Sequence, residues 1–142
     1  MSGNDLLISE RFAHTYRETG LIGLRGFSPV EIKSVRCRYK MKAPRPKYLY
    51  AVPVESMAAF DSIGSECEWE TAPNCELCRS GARIRWKRTL LEPGTWSGED
   101  IFIARGSTEI LVSHRFKTMC EHHHLIIPPL IPAETYGKDL DP

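Results

Sequence analysis

Two segments of the chain carry the same order of apolar and polar residues. Residues 6–32 align with residues 110–136 at a constant offset of 104, the difference between 110 and 6. The recurring residues are Leu7, Ser9, Arg11, Phe12, Leu21 and Ile22 in the first segment and Leu111, Ser113, Arg115, Phe116, Leu125 and Ile126 in the second. After a one-residue deletion, Pro29 and Glu31 recur as Pro132 and Glu134. This ordered set of identities predicts an internal duplication.

Each repeat predicts a short strand followed by a helix. An apolar run ends at a serine, whose hydroxyl can accept a hydrogen bond from the free N–H groups at the start of a helix. The first repeat places Phe12, Tyr16 and Thr19 on one helical face, and Gly20 suits the left-handed residue that closes a helix. The equivalent face of the second repeat holds Phe116, Met119, Cys120 and His123. Because neither unit can bury its helix face alone, we expect both to pack against a shared sheet.

The centre of the chain, residues 33–109, is rich in predicted strands. Residues 35–42 alternate apolar and basic side chains, which is typical of a half-buried strand. Residues 48–54 predict a more buried strand in which Pro53 marks an edge or an end, and residues 55–63 predict a short helix. Further strands are expected at 84–87, 101–103 and 110–112. The sum is an α+β fold: a single domain over residues 1–142, in which the units 6–32 and 110–136 pack on a mostly antiparallel or mixed central sheet.

The composition is typical of a soluble globular protein, with 42% hydrophobic and 26% charged residues. A net charge of +1 predicts no bulk attraction to nucleic acid or to an anionic membrane. No apolar run approaches the roughly 20 residues that span a bilayer, and the first residues lack a basic segment of a signal peptide. Five cysteines, an odd number, fit a reducing compartment better than a disulfide framework. We therefore expect a cytoplasmic protein without a membrane partner.

The cysteines suggest a metal site. Cys75 and Cys78 have the spacing at which two thiolates in a tight turn can bind one zinc ion, and Cys67 is a candidate third ligand. The fourth ligand is left open among Cys37, Cys120 and the histidines at 122–124. Three consecutive histidines cannot converge on one ion from a regular helix, and their position at a helix end suits partial positive charge. The alternative is a pair of free thiols beside a turn.

Two basic strips form a candidate partner-binding surface. If both segments are strands, each strip places its cations on one face and together they form a positive surface that suits an acidic protein or phosphate. The strips contain Arg36, Arg38, Lys40 and Lys42 in one segment and Arg83, Arg85 and Lys87 in the other. The alternative is an ordinary solvated surface, offset by the acidic stretch of Glu66, Glu68, Glu70 and Glu76.

No pattern of catalytic residues is recognisable. The chain lacks a P-loop, a dinucleotide fingerprint, an H-E-x-x-H helix and an ordered Ser/His/Asp set. Glu99 and Asp100 could form a carboxylate pair, but acids in a turn rich in Gly and Ser more often cap the backbone. The expectation is a binding protein rather than an enzyme.

Six segments of the chain, at residues 8–12, 30–31, 48–50, 75–79, 93–102 and 112–116, follow one another in a recognisable order. Together they resemble the double-CXXCG motif family of myxobacteria, and in particular its immunity proteins for swarming-inheritance toxins. The resemblance implies a cytoplasmic antitoxin that binds and neutralises a cognate toxin from neighbouring kin cells. This chain departs from the family pattern in having a single C-x-x-C, followed by Arg79 instead of glycine. An alternative function is a small nucleic-acid-binding module with a zinc knuckle. The oligomeric state is left open.

Overall fold

A computed structural model describes residues 4–36, 44 and 47–138 of the chain. In these ranges the elements follow the order strand, helix, six strands, helix. They are β1 (Leu6–Ser9), α1 (Glu10–Glu18), β2 (Leu24–Val30), β3 (Tyr48–Ala59), β4 (Glu68–Thr71), β5 (Ala82–Arg85), β6 (Ile101–Arg105), β7 (Ile110–Val112) and α2 (His114–His122). A single 3₁₀ turn follows at Ala133–Thr135.

The long strand β3 organises the main sheet. Strands β1 and β2 both pair antiparallel with its first half, and β6 pairs parallel with its second half. Strand β7 pairs antiparallel with β6, whereas β4 and β5 form a separate two-stranded sheet. The sheet is mixed, two helices pack beside it, and the predicted α+β fold is confirmed.

The two predicted helix-plus-strand units are present with matching ends. Ser9 and Ser113 each accept a hydrogen bond at 3.1 Å from the backbone N–H three residues later. Both helices span nine residues, and their last turns close through equivalent backbone bonds, Leu21 N–H to Tyr16 O and Leu125 N–H to Cys120 O. The units diverge afterwards, because the first repeat continues into β2 whereas the second continues into an extended segment.

The main hydrophobic core lies between the helices and the sheet. Buried apolar residues from β1, both helices, β3 and β6 pack together there. The chain after α1 approaches β6 so closely that a Cβ on Gly23 would lie 2.0 Å from the carbonyl oxygen of Ile101. Glycine is therefore the residue that lets the first repeat join the sheet.

Two predictions about the centre need correction. The helix expected at 55–63 is wrong, because β3 continues through Ala59 and its second half pairs with β6. Pro53 lies inside this strand, between Ala51, which pairs with β1, and Val54, which pairs with β6. The missing N–H thus falls where β3 changes neighbours. The strand expected at 35–42 lies mostly outside the described residues.

Among the residues that the structure describes, no helix has the length and apolar character needed to cross a membrane.

Candidate partner-binding surface

The two helix-plus-strand units meet through an aromatic contact between their helices. Phe12 of α1 and Phe116 of α2 are both buried, and their ring centroids lie 6.0 Å apart. Each ring follows its capping serine by three residues, so the capped first turn determines where the ring enters the core. The aromatic pair therefore fixes how the two units face each other.

Polar contacts link each helix to the chain that follows the other helix. The buried carboxylate of Asp100 accepts hydrogen bonds from the Ile22 N–H at 3.0 Å and from the Ser113 hydroxyl at 2.6 Å. Arg115 of α2 lies 3.4 Å from the same carboxylate, and Arg11 of α1 donates to the carbonyl of His123 at 2.6 Å. These corresponding arginines hold the units together. By accepting the Ile22 N–H, the Asp100 carboxylate caps a backbone group.

An apolar groove of about 730 Å³ lies between the two units. Strand β1, strand β7, both core phenylalanines and the segment after α2 line it. Leu7 is 66% exposed and Ile126 is fully exposed along this groove. Because contiguous exposed apolar side chains mark interaction sites, the groove is the candidate partner-binding surface.

The segment after α2, residues 125–131, forms a strap along the groove. Leu125 and Ile127 pack against the core, whereas Ile126 between them points to solvent. No hydrogen bond joins the backbone of residues 126–131 to another backbone group in the described part of the chain. A further cavity of about 710 Å³ adjoins Pro129 and Leu130. The strap is therefore held mainly by two partly buried side chains, Leu125 and Ile127.

The groove has a positive character. Arg11 is its charged lining residue, Tyr48 and His124 are its titratable ones, and no Asp or Glu of the described ranges lines it. A partner segment with acidic residues beside apolar ones would complement it.

The predicted basic surface is only partly visible. Arg38, Lys40 and Lys42 lie outside the described residues, and Arg36 is exposed. Arg85 pairs with Glu68 at 2.6 Å and Lys87 pairs with Glu66 at 2.7 Å. These cations therefore form ion pairs with the acidic stretch, and the surface here is mixed in sign.

Arg83 is buried and does not share an exposed face with its neighbours. Its side chain is only 7% exposed and lies 3.0 Å from Glu109. The guanidinium also stacks over Phe60 and Trp86, 5.0 and 4.1 Å from their ring centroids. Burial raises the pKa of Glu109, but the Ser107 hydroxyl and the Arg83 guanidinium lower it, and the net pKa lies below the usual carboxyl value. Arg83 is thus part of the interior.

The candidate metal ligands do not come together in one cluster. Within the described ranges, no group of three or more His, Cys, Asp or Glu side chains could hold a metal ion. Cys67 is half-buried, and desolvation raises the pKa of its thiol while Arg83 lowers it. Cys120 is buried in the core, where desolvation raises its pKa to about 11, and Cys37 lies outside the described residues. Cys67 and Cys120 therefore do not complete a site with Cys75 and Cys78.

Cys75 and Cys78 lie together in an exposed turn before β5. The Cys78 N–H donates to the Cys75 sulfur at 3.4 Å, and the Arg79 N–H donates to the Cys75 carbonyl at 2.9 Å. Hydrogen bonds from the Ser80 N–H, the Cys75 thiol and the Ser80 hydroxyl lower the pKa of Cys78. Arg79 has a φ of +54°, the left-handed conformation that glycine adopts readily. Arg79 thus adopts the left-handed conformation at the position where the family that the sequence resembles has glycine.

Sequence reasoning missed the groove. Ile22 and Ile126 recur at corresponding repeat positions and both are exposed in the structure, but of the two only Ile126 lines the groove. Exposed isoleucines at equivalent sites indicate a surface role, but only the fold reveals their exposure.

The comparisons with known proteins return no relatives. No family model, no curated protein and no solved structure matches this chain. The resemblance to the immunity proteins therefore stays a prediction.

Proposed function

We propose that this protein is a non-enzymatic, cytoplasmic immunity protein that binds and neutralises a toxin delivered by neighbouring cells. The observation that carries the proposal is the exposed apolar groove between the two helix-plus-strand units. Apolar surface of this kind is stabilised by burial against another protein. The sequence resemblance supports a toxin as that protein.

The chemistry of the groove indicates what part of the toxin it binds. Fully burying a Leu or Ile side chain contributes about 1.5–3 kcal/mol, so Leu7 and Ile126 are suitable anchors. Arg11 and His124 lie beside them without a lining carboxylate. The complementary toxin segment is apolar with acidic residues at its flanks, and charge complementarity favours this partner over a basic one.

The strap can move when a partner binds in the groove. Because residues 126–131 make no backbone hydrogen bond to other described backbone groups, displacing them breaks few interactions. The rigid scaffold lies beneath, at the contact of Phe12 with Phe116. Inhibition then results from tight association and requires no chemical step.

Co-expression with the toxin encoded by the neighbouring gene tests the proposal. Cells that produce the toxin together with this protein are expected to survive, and the two proteins are expected to purify as one complex. Cells that produce the toxin with an unrelated protein of similar size serve as the control. Loss of viability together with separate elution of the two proteins would contradict the immunity function.

A further inference from the structure

The turn that carries Cys75 and Cys78 is held rigidly against the sheet. Arg105 of β6 donates to the Leu77 carbonyl at 3.3 Å and to the Met57 carbonyl at 3.0 Å. The Gly106 N–H donates to the Cys78 carbonyl at 3.1 Å, and Arg79 forms an ion pair with Glu92. These contacts tie the turn to both β3 and β6. The two thiols are thus presented at a fixed place on the surface.

The turn supplies half of the ligands that a structural zinc site requires. Structural zinc is bound by four side chains in a tetrahedron, most often cysteines and histidines. This turn offers two exposed thiols, and no third ligand joins them in the ranges that the structure describes. Within the described residues, one chain therefore does not bring together a closed zinc site, whereas two thiols from each of two chains make four.

One exposed apolar side chain lies between the two thiols, and a second lies on the neighbouring strand β3. Leu77, between the two cysteines, is 68% exposed, and Met57 is 58% exposed. Arg105 binds the carbonyls of both residues, so Leu77 and Met57 lie near each other beside the turn. A second copy of the chain that approaches this turn would bury both side chains along with the thiols.

We propose that Cys75 and Cys78 from two copies of this chain bind one zinc ion, which joins the copies into a symmetric homodimer. The interface is isologous, because the same turn contributes from both copies. This dimer forms through the turn before β5, away from the groove that we assign to the toxin, and it does not depend on that assignment.

Titration of the reduced full-length protein with zinc tests the proposal. We expect one zinc ion per two chains and a doubling of the mass by light scattering, both reversed by a zinc chelator. Cobalt(II) in place of zinc is expected to give the absorption of a tetrahedral ion with four thiolate ligands. Cys75→Ser and Cys78→Ser are each expected to abolish the dimer, whereas Cys67→Ser, the matched control, leaves it intact.

The same experiment can overturn the proposal in several ways. One zinc ion per monomer, absence of zinc binding, or a dimer that survives the chelator would each contradict it. Circular dichroism checks that the serine variants fold, which is expected because both thiols are exposed. Cys75→Ser is also expected to rescue cells from the toxin, although it does not form the dimer. Loss of the dimer and loss of the immunity function are therefore measured separately.

Discussion

Arg83 shows how a residue from a basic strip can become part of the interior. Its guanidinium lies between two aromatic rings and pairs with Glu109, which arrives from the turn between β6 and β7. A buried ion pair is costly to break, since the remaining charge is left without a partner in a poorly solvated place. The pair therefore ties the small sheet of β4 and β5 to the main sheet.

Replacing Glu109 by Gln is expected to lower the free energy of unfolding by about 3 kcal/mol at neutral pH, because Arg83 loses its buried counter-charge. Urea denaturation measures this loss. Since the folded pKa of Glu109 lies below its unfolded value of 4.5, its stabilisation is complete above that value. The stabilisation disappears as the pH falls through the folded pKa, and the variant should lack this part of the acid dependence.

Glu134→Gln is the matched control for this experiment, because Glu134 is exposed. Its unfolding free energy is expected to change by less than about 0.5 kcal/mol. Equal losses in the two variants, or an unaltered acid dependence in Glu109→Gln, would show that the buried pair does not stabilise the fold.

Local residue roles were predictable from the sequence, whereas long-range ones were not. The capping by Ser9 and Ser113 follows from a serine before an apolar helical pattern, and the structure has both caps. The burial of Arg83 depends on Glu109, a residue 26 positions away. The alternation of residues along β5 could not show that Arg83 pairs with Glu109, because the fold brings Glu109 there from the turn between β6 and β7.

At the scale of elements, the two capped helices give a paired prediction. Ser9→Ala is expected to destabilise the protein by about 1 kcal/mol through loss of one helix cap. Ser113→Ala is expected to cost about 2 kcal/mol or more, because the Ser113 hydroxyl also donates to the buried carboxylate of Asp100. Urea denaturation of both variants measures the difference.

Ser97→Ala controls for the removal of an exposed hydroxyl and should leave the stability nearly unchanged. If Ser9→Ala and Ser113→Ala cost the same, then the bond between Ser113 and Asp100 contributes nothing beyond the helix cap.

Strand β3 shows why element prediction failed in one place. Residues 55–59 contain Met and two Ala, which favour a helix, but they pair with β6 in the sheet. Tertiary pairing outweighs this preference, which amounts to a fraction of a kcal/mol per residue. The first half of β3, rich in Tyr and Val, was predicted because local preference and pairing agree there.

At the scale of the whole molecule, the repeats provide both the scaffold and the candidate functional surface. The sequence pattern had indicated the centre, with its basic strips, as the place of contact. Of the strip residues that the structure describes, Arg36 is exposed, Arg85 and Lys87 pair with acidic residues of the same chain, and Arg83 is buried, whereas the groove between the repeats exposes apolar side chains. Exposure depends on how two distant segments pack, so periodicity alone could not identify the groove.

The most direct test of the account compares Ile126→Asp with Ile63→Asp in cells that produce the toxin. Both isoleucines are strongly exposed, 102% and 88%, but Ile126 lines the groove and Ile63 does not. Neither change should alter the unfolding free energy by more than about 0.5 kcal/mol. An anchor residue contributes about 2 kcal/mol or more to binding, so Ile126→Asp should weaken toxin binding about 30-fold or more and abolish rescue. Ile63→Asp should protect like the wild type, and full protection by Ile126→Asp would contradict the account.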